Sequence, residues 1–249
     1  MVGKANGRVS LKHFDLFSGI GGFALAAKWS GFQTIGFCET NKFCRQILAK
    51  RWPEVPIYGD IRKLTGEQIK KTSGIPDIIT GGFPCQPYSI AGKRRGKKDD
   101  RSLWPEMLRI IREMEPAWVI AENVRGIVSM ELDQVLADME DSNYHTESFI
   151  IPACAVNAPH RRDRVWIVAN SIGKRLQGDV GQRKARKTKK KGKPKGHFAK
   201  RSWWSLEPSV DRVADGIPRR VDRLKSLGNA VVPQIPWEFY EIIKQIESQ

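Results

Sequence analysis

Over the first 170 residues, short apolar runs alternate with amphipathic stretches. The apolar runs predict strands at residues 13–17, 34–38, 77–80, 117–121, 146–151 and 164–169, with one more short strand just before Asp60. Helical spacing fills the intervals at 22–29, 41–52, 103–113 and 132–139. The stretch 103–114 is the clearest: Leu103, Met107, Ile110, Ile111 and Met114 fall on one face, which predicts a helix buried on that side. Beyond Asn170 the periodicity fades into a Gly-, Lys- and Arg-rich segment. SWWSLEPSV then restores apolar residues, and PWEFYEIIKQIES predicts a closing helix that begins at a proline. Strand–helix alternation of this kind predicts an α/β fold with a doubly wound, mostly parallel sheet and helices on both faces. Ligands of such sheets bind beyond the carboxyl ends of the strands, so that edge is where chemistry is expected.

Composition narrows the classes. A chain of 249 residues, 40% hydrophobic, has enough apolar material for one large domain, or one domain and a small companion. It contains no apolar run of membrane-spanning length, and MVGKANGRVSLKHFDLF lacks a signal-peptide core, so a cytoplasmic protein with no membrane partner is expected. The four cysteines, Cys38, Cys44, Cys85 and Cys154, form no CxxC pair; neither a zinc site nor a disulfide framework is indicated, and no metal is expected. The net charge of +16 is concentrated: residues 173–201 hold 13 Lys/Arg against one Asp. Such a run reads as a solvated, disordered stretch or as a phosphate-contacting segment for nucleic acid, and a basic loop that orders on DNA would be both.

Two constellations carry chemistry. In DLFSGIGGFALA, a strand runs into Gly19, Gly21 and Gly22 and then a helix, which lets backbone approach a ligand at the helix N-terminus. No Gly-Lys-Ser/Thr follows, so this is not a P-loop. Glu39, 20 residues after Gly19 and at the end of the second strand, suits a ribose diol. Asp60, after the third, is placed for an adenine amino group. A glycine loop with two acids and no phosphate-binding cation describes an adenosine ligand without phosphates, which S-adenosylmethionine fits better than NAD. The second constellation surrounds Cys85 in GGFPCQPYS. Most free cysteines are small buried apolar residues, but two glycines and the prolines at 84 and 87 predict a rigid exposed turn at the ligand-binding edge. Glu122 in AENVRG, at the end of an apolar strand, and Arg162 and Arg164 in PHRRDR, leading into VWIVA, are expected at the same edge.

These segments resemble the C5-cytosine DNA methyltransferase family of restriction–modification or phage type. DLFSGIGG is similar to its cofactor loop, FCET and YGDI to its next cofactor elements, and GGFPCQPYS to its catalytic Pro-Cys-Gln motif. ENVRG resembles its Glu-Asn-Val motif, APHRRDRVWIVA its arginine motif and RLKSLGNAVVP its closing motif. The resemblance implies a Rossmann-like methyltransferase fold and double-stranded DNA as partner. It implies Cys85 as nucleophile at cytosine C6, Glu122 as proton donor or sharer at N3, Arg164 at the base O2, and Arg162 supporting the loop that carries Cys85. Phe17 would pack on adenine, Glu39 would hold the ribose, Asp60 and Ile61 the adenine edge, and Asn229 the methionine end. AGKRRGKKDDRS would be the mobile catalytic loop, hinged at Gly92 and Gly96. The implied organisation is a catalytic and cofactor-binding domain at 1–169, a small basic target-recognition region at 170–221, and a segment at 222–249 that returns to the catalytic domain. A monomer is expected, with a cognate restriction endonuclease in the same host.

The chain departs from the family pattern at Thr40, where many members have an aromatic residue, and at His160, where Gln is usual. Its target-recognition region is also short, about fifty residues long and half of it lysine-rich. Three other readings stay open from the residues: a tRNA cytosine-5 methyltransferase, a non-catalytic nucleic-acid-binding protein on the same scaffold, and a dinucleotide oxidoreductase resting on the glycine loop alone.

Overall fold

The computed structural model describes residues 10–84, 103–173 and 220–248. Cys85, the loop at 91–102, the tryptophans at 203 and 204, and all but the first residue of the basic run lie outside the described residues.

Seven strands form one sheet: β1 (Lys12–Leu16), β2 (Gln33–Cys38), β3 (Ile57–Tyr58), β4 (Ile78–Gly81), β5 (Trp118–Val124), β6 (Tyr144–Pro152) and β7 (Asp163–Ser171). Their order is β3-β2-β1-β4-β5-β7-β6; the first five run parallel, and β7 and β6 add on antiparallel. The helices are α1 (Gly22–Trp29), α2 (Lys42–Arg51), α3 (Gly66–Thr72), α4 (Trp104–Met114), α5 (Ile127–Met130), α6 (Leu132–Glu140), α7 (Arg220–Asn229) and α8 (Gln234–Glu247). The expected mostly parallel α/β sheet is the observed one.

Both faces of the sheet are covered, and strand alternation shows it. In β4, Ile78 packs into one core cluster and Ile79 into the other; in β5, Trp118 and Ile120 face one side while Val119 and Ala121 face the opposite side. The buried stripe of α4 (Met107, Ile110, Ile111, Met114) fills the face to which Ile79, Val119 and Ala121 point. On the other face lie Phe23, Ala26 and Ala27 of α1 with Ile235, Tyr240 and Ile243 of α8. Buried polar groups also link the central strands. His13 reaches Thr34 of β2 at 3.0 Å and Thr80 of β4 at 2.8 Å, and Thr80 donates to Asp15 at 3.0 Å. Burial lowers the His13 pKa to about 3, so the imidazole is neutral in this network.

Several boundaries differ from expectation. The strand expected to end at Ala121 continues to Val124, because β7 pairs antiparallel along its full length. Glu122 is therefore a strand residue. The closing helix begins two residues earlier, at Gln234, with Pro236 inside its first turn, where the missing N–H has no helical partner to lose. The helix α3 is an addition to the expected set. Thr65 caps it by accepting from Gln68 N while the Gln68 side chain accepts from Thr65 N, a reciprocal capping box.

Candidate active site

At the carboxyl ends of β1, β2, β4 and β5 lies a cavity of about 460 Å³, which continues into a smaller space of about 50 Å³. Phe17, Gly19, Glu39, Ile61, Glu122, Arg164 and Asn229 line the larger part, and Gly22 lines the smaller. Residues as far apart in the chain as Phe17 and Asn229 therefore meet at the edge where the sheet predicted chemistry.

The glycine loop begins as β1 ends. Phe17 takes a left-handed backbone (φ 53°), and Gly21 follows at φ 88° as the residue before α1. A side chain at Gly21 is excluded twice, by that φ and by the Trp52 ring, 2.6 Å from where a Cβ would stand. Gly22 lets the chain after α7 approach, since its Cβ would lie 2.9 Å from the Val231 carbonyl oxygen. Gly21 offers no side-chain cap, so the first N–H groups of α1 keep their donor capacity beside the smaller space.

Glu39 reaches across from the end of β2. One carboxylate oxygen accepts from Gly19 N at 2.7 Å, the other from Asn41 N at 2.7 Å. The acid is thus oriented before any ligand arrives, and each oxygen keeps a further acceptor position. Asn41 in turn caps α2 by accepting from Phe43 N and Cys44 N. Ile61 lines the cavity, and so do Gly59 and Thr40. Asp60, between Gly59 and Ile61, is not among the lining residues. It caps the 3-10 turn Ile61–Lys63, and hydrogen bonding from the Arg62 side chain holds its carboxyl below the usual range.

Opposite the wall formed by Phe17, Glu39 and Ile61 stand the acid and the arginine. Val124 pairs with Arg164 across β5 and β7, which sets Glu122 and Arg164 diagonally on one sheet face. Their side chains meet at 3.0 Å (Arg164 Nε to Glu122 Oε1), with only 11% of the Glu122 side chain exposed. Burial raises the Glu122 pKa above the ordinary carboxylate value, against the opposing pull of Arg164 and then Arg162. The site therefore holds a carboxyl group whose proton is easier to retain than that of a solvated glutamate.

Asn123 is a residue that sequence reasoning passed over. It is 3% exposed, and its Nδ2 donates to the Phe83 carbonyl at 3.0 Å. Gly82, Phe83 and Pro84 all line the cavity, and Pro84 immediately precedes Cys85 in the chain. The signal was an amide in an otherwise apolar strand, WVIAENV. Arg162 is placed differently from the rest. It does not line the cavity; its guanidinium donates to the carbonyls of Gly228 (2.6 Å) and Ala230 (2.9 Å). Lys225 and Ser226 of α7, within the segment RLKSLGNAVVP, and Cys44 of α2 also line the wall.

Comparison with known proteins gives one consistent result. The family model described as "C-5 cytosine-specific DNA methylase" matches residues 11–216. The Type II methyltransferase M.AquIA of Picosynechococcus sp. is 31% identical over 184 residues, covering 67% of this chain and 74% of its own length. The Type II methyltransferase M.HhaI of Haemophilus parahaemolyticus is 32% identical, covering 64% of this chain and 48% of its own. A DNMT2 mutant structure from Spodoptera frugiperda superposes with a TM-score of 0.56 at 26% identity, over 65% of this chain and 50% of that one. The chain thus spans about half the length of several relatives that it matches.

Proposed function

Since the chain belongs to the C-5 cytosine-specific DNA methylase family, we propose that it is an S-adenosylmethionine-dependent DNA methyltransferase acting on C5 of a flipped cytosine. The observation that carries the reading is the pairing of buried Glu122 with Arg164, facing, across one cavity, the glycine loop and Glu39.

The described residues fit the cofactor. The fixed Glu39 carboxylate suits the ribose, and Phe17 and Ile61 give apolar surface for adenine. The uncapped start of α1 beside Asn229 suits the methionine end. When bound, S-adenosylmethionine supplies the electrophilic methyl group that an activated C5 takes. Gly19, Gly21 and Gly22 shape the loop, and Asp60 positions the Ile61 turn through its cap. The protein residues activate C5. The Cys85 thiolate forms a bond to C6, and the electron pair of the C5–C6 double bond shifts toward C5. Glu122, which burial helps to keep protonated, hydrogen-bonds or protonates N3, so negative charge does not build up on the ring. Arg164, oriented by Glu122, offers its remaining donors to O2. Loss of the C5 proton to water then expels the Cys85 thiolate from C6, and return of the N3 proton to Glu122 restores the aromatic ring. The cytosine must leave the stack to reach this cavity, at a cost of a few kcal/mol, on the order usual for base flipping.

The proposal includes the organisation 1–169, 170–221 and 222–249. In its support, α8 packs on α1 within the same core cluster, so the end of the chain belongs to the catalytic body. It also includes a monomer, a cytoplasmic location and a partner restriction endonuclease, the last supported by relatives named as Type II methyltransferases. Among the described residues, no helix is long and apolar enough to cross a membrane.

Methyl transfer from labelled S-adenosylmethionine to double-stranded DNA, to tRNA and to no polymer tests the assignment, with base-resolution mapping of the product. DNA labelled at cytosine C5, and a denaturant-stable adduct with 5-fluorocytosine DNA that is lost in Cys85→Ser, are the expected results. Label on tRNA alone would move the substrate to RNA, and turnover without an adduct would remove Cys85 from the mechanism.

A further inference from the structure

We propose that Arg162 is a positioning residue for the cofactor: it clamps the turn that carries Asn229 and so joins the cofactor wall to the strand that carries Arg164. The inference rests on the cofactor assignment above and gives Arg162 a task other than supporting the loop of Cys85.

The geometry is specific. Arg162 precedes β7 and takes a left-handed backbone, φ 36°, without being a glycine or an asparagine. Such a conformation persists only where surrounding contacts enforce it, and it is often found at functional sites. Here its two terminal nitrogens bracket Asn229, donating to the carbonyl oxygen before it (Gly228, 2.6 Å) and the one after it (Ala230, 2.9 Å). Asn229 is the only residue within that bracket, and it lines both the larger and the smaller space.

The Gly228 carbonyl belongs to the last turn of α7, where carbonyls lack helical partners and a cation is favoured by the helix dipole. The turn is held from its other side too. Val231 sits against Gly22, at a distance that leaves no room for a Cβ. The Asn229 turn is therefore gripped between the glycine loop and Arg162. Two residues along the chain, Arg164 holds Glu122. A planar guanidinium can bridge two carbonyls, whereas a lysine ammonium at the end of a flexible stem cannot reproduce that fork.

A cap that served stability alone would leave cofactor affinity unchanged in the folded protein. The test is therefore calorimetric titration of the full chain with S-adenosylmethionine, in the absence of any polymer, on wild type, Arg162→Lys, Arg162→Ala, Asn229→Ala and the Arg162→Ala/Asn229→Ala double variant. Arg162→Ala is expected to weaken cofactor binding about tenfold, the scale of one well-made interaction, with Arg162→Lys between it and wild type. In the double variant the two effects should overlap rather than multiply, because both act through one turn. In steady-state assays the loss should fall on KM for the cofactor more than on kcat. Failure of wild type to bind S-adenosylmethionine would overturn the cofactor assignment itself. Cofactor affinity within about twofold of wild type in both Arg162→Ala and Arg162→Lys, or fully multiplicative effects in the double variant, would overturn the clamp alone. Should Arg162→Ala not fold, Arg162→Lys and its double variant with Asn229→Ala decide the same question.

Discussion

Arg109 offers the sharpest test of how the Ile61 wall of the cavity is held. It projects from α4, and its guanidinium is shared among four groups. Nη2 donates to the carbonyls of Ile61 (2.8 Å) and Leu64 (2.9 Å), Nη1 to Glu113 (2.8 Å) and Nε to Glu106 (2.9 Å). The two carbonyls belong to the 3-10 turn that places Ile61 in the cavity. Glu113 returns the favour by accepting from Gly66 N, the first residue of α3. One side chain thus fastens the turn and the helix after it to α4.

The magnitude follows from the bonds. With the Arg109 side chain one-third exposed, its ion pairs are screened and contribute little, a few tenths of a kcal/mol each. The charge-assisted bonds to backbone carbonyls matter more, at about 1.5 kcal/mol each near the low end of their range. Arg109→Ala should therefore destabilise the protein by about 3 kcal/mol, which for a chain of this size lowers Tm by about 6–12 °C. Arg109→Lys, able to satisfy one carbonyl at a time, should lose about half of that. Urea and thermal unfolding read both numbers, and titration with S-adenosylmethionine reads the effect on the Ile61 turn. A loss below about 1 kcal/mol in Arg109→Ala, or a lysine variant as stable as wild type, would show that the carbonyls are well served by water and that the tether is incidental.

Acid supplies an internal control on the same cluster. Burial pulls the Glu113 pKa upward, but the Gly66 N–H and Arg109 outweigh it and leave the group below its ordinary value of 4.5. A depressed carboxyl contributes stability that is complete above its unfolded value and is lost as pH falls through its folded one. Wild type should lose this contribution below about pH 4.5, the ordinary value, and Arg109→Ala should lose less of it there.

Arg109 also shows where sequence reading ends. The helix that bears it was legible, because five apolar residues mark its buried stripe. Its partners are not, because Ile61 and Leu64 lie 48 and 45 positions away and only the fold brings them near. Asn123 is a similar case: its bond to Phe83 depends on β4 and β5 being neighbours. The strand containing Glu122 was read too short for the same reason. Local apolarity stops at Ala121, and the polar residues after it stay extended because β7 pairs with them. By contrast, α3 has a local signal in Thr65 and Gln68, the two halves of a capping box three positions apart. Of the expected residues, Gly19, Gly22, Glu39, Glu122 and Arg164 line the cavity, and they were legible because glycines and isolated charges at strand ends are costly for folding. Where each charge goes, as with Arg162 turning to the carbonyls of Gly228 and Ala230 and Asp60 to Arg62, depends on contacts that no spacing encodes.

Replacing Glu122 by Gln keeps a hydrogen-bond donor at N3 but removes the transferable proton, so methyl transfer should fall by about 10²; near-normal turnover would end its role as acid. A carboxyl raised by burial contributes stability that is present below its unfolded value and lost as pH rises through the folded one, so wild type should show this loss and Glu122→Gln should not. Glu39→Ala should weaken cofactor binding twice over, removing the ribose acceptor and freeing Gly19 N, while turnover at saturating cofactor suffers less; an unchanged titration would mean that the pocket is misassigned. The last prediction concerns Lys187, Lys189, Lys190, Lys191, Lys193 and Lys195. Lysine is a point charge, whereas base reading favours bidentate Arg, Asn or Gln on a rigid element, so these residues are suited to phosphates and poorly suited to sequence. Changing all six to alanine should therefore reduce DNA affinity and flatten its dependence on salt, each lost phosphate contact lowering the log–log slope by about 0.9. Base-resolution mapping should find the same methylated sites as before, because the reader would be the short stretch that follows the lysines. If the substitutions change which cytosines are methylated, the lysines read sequence; if the salt slope does not move, they do not touch phosphates, and the affinity must come from the cations around the cavity itself.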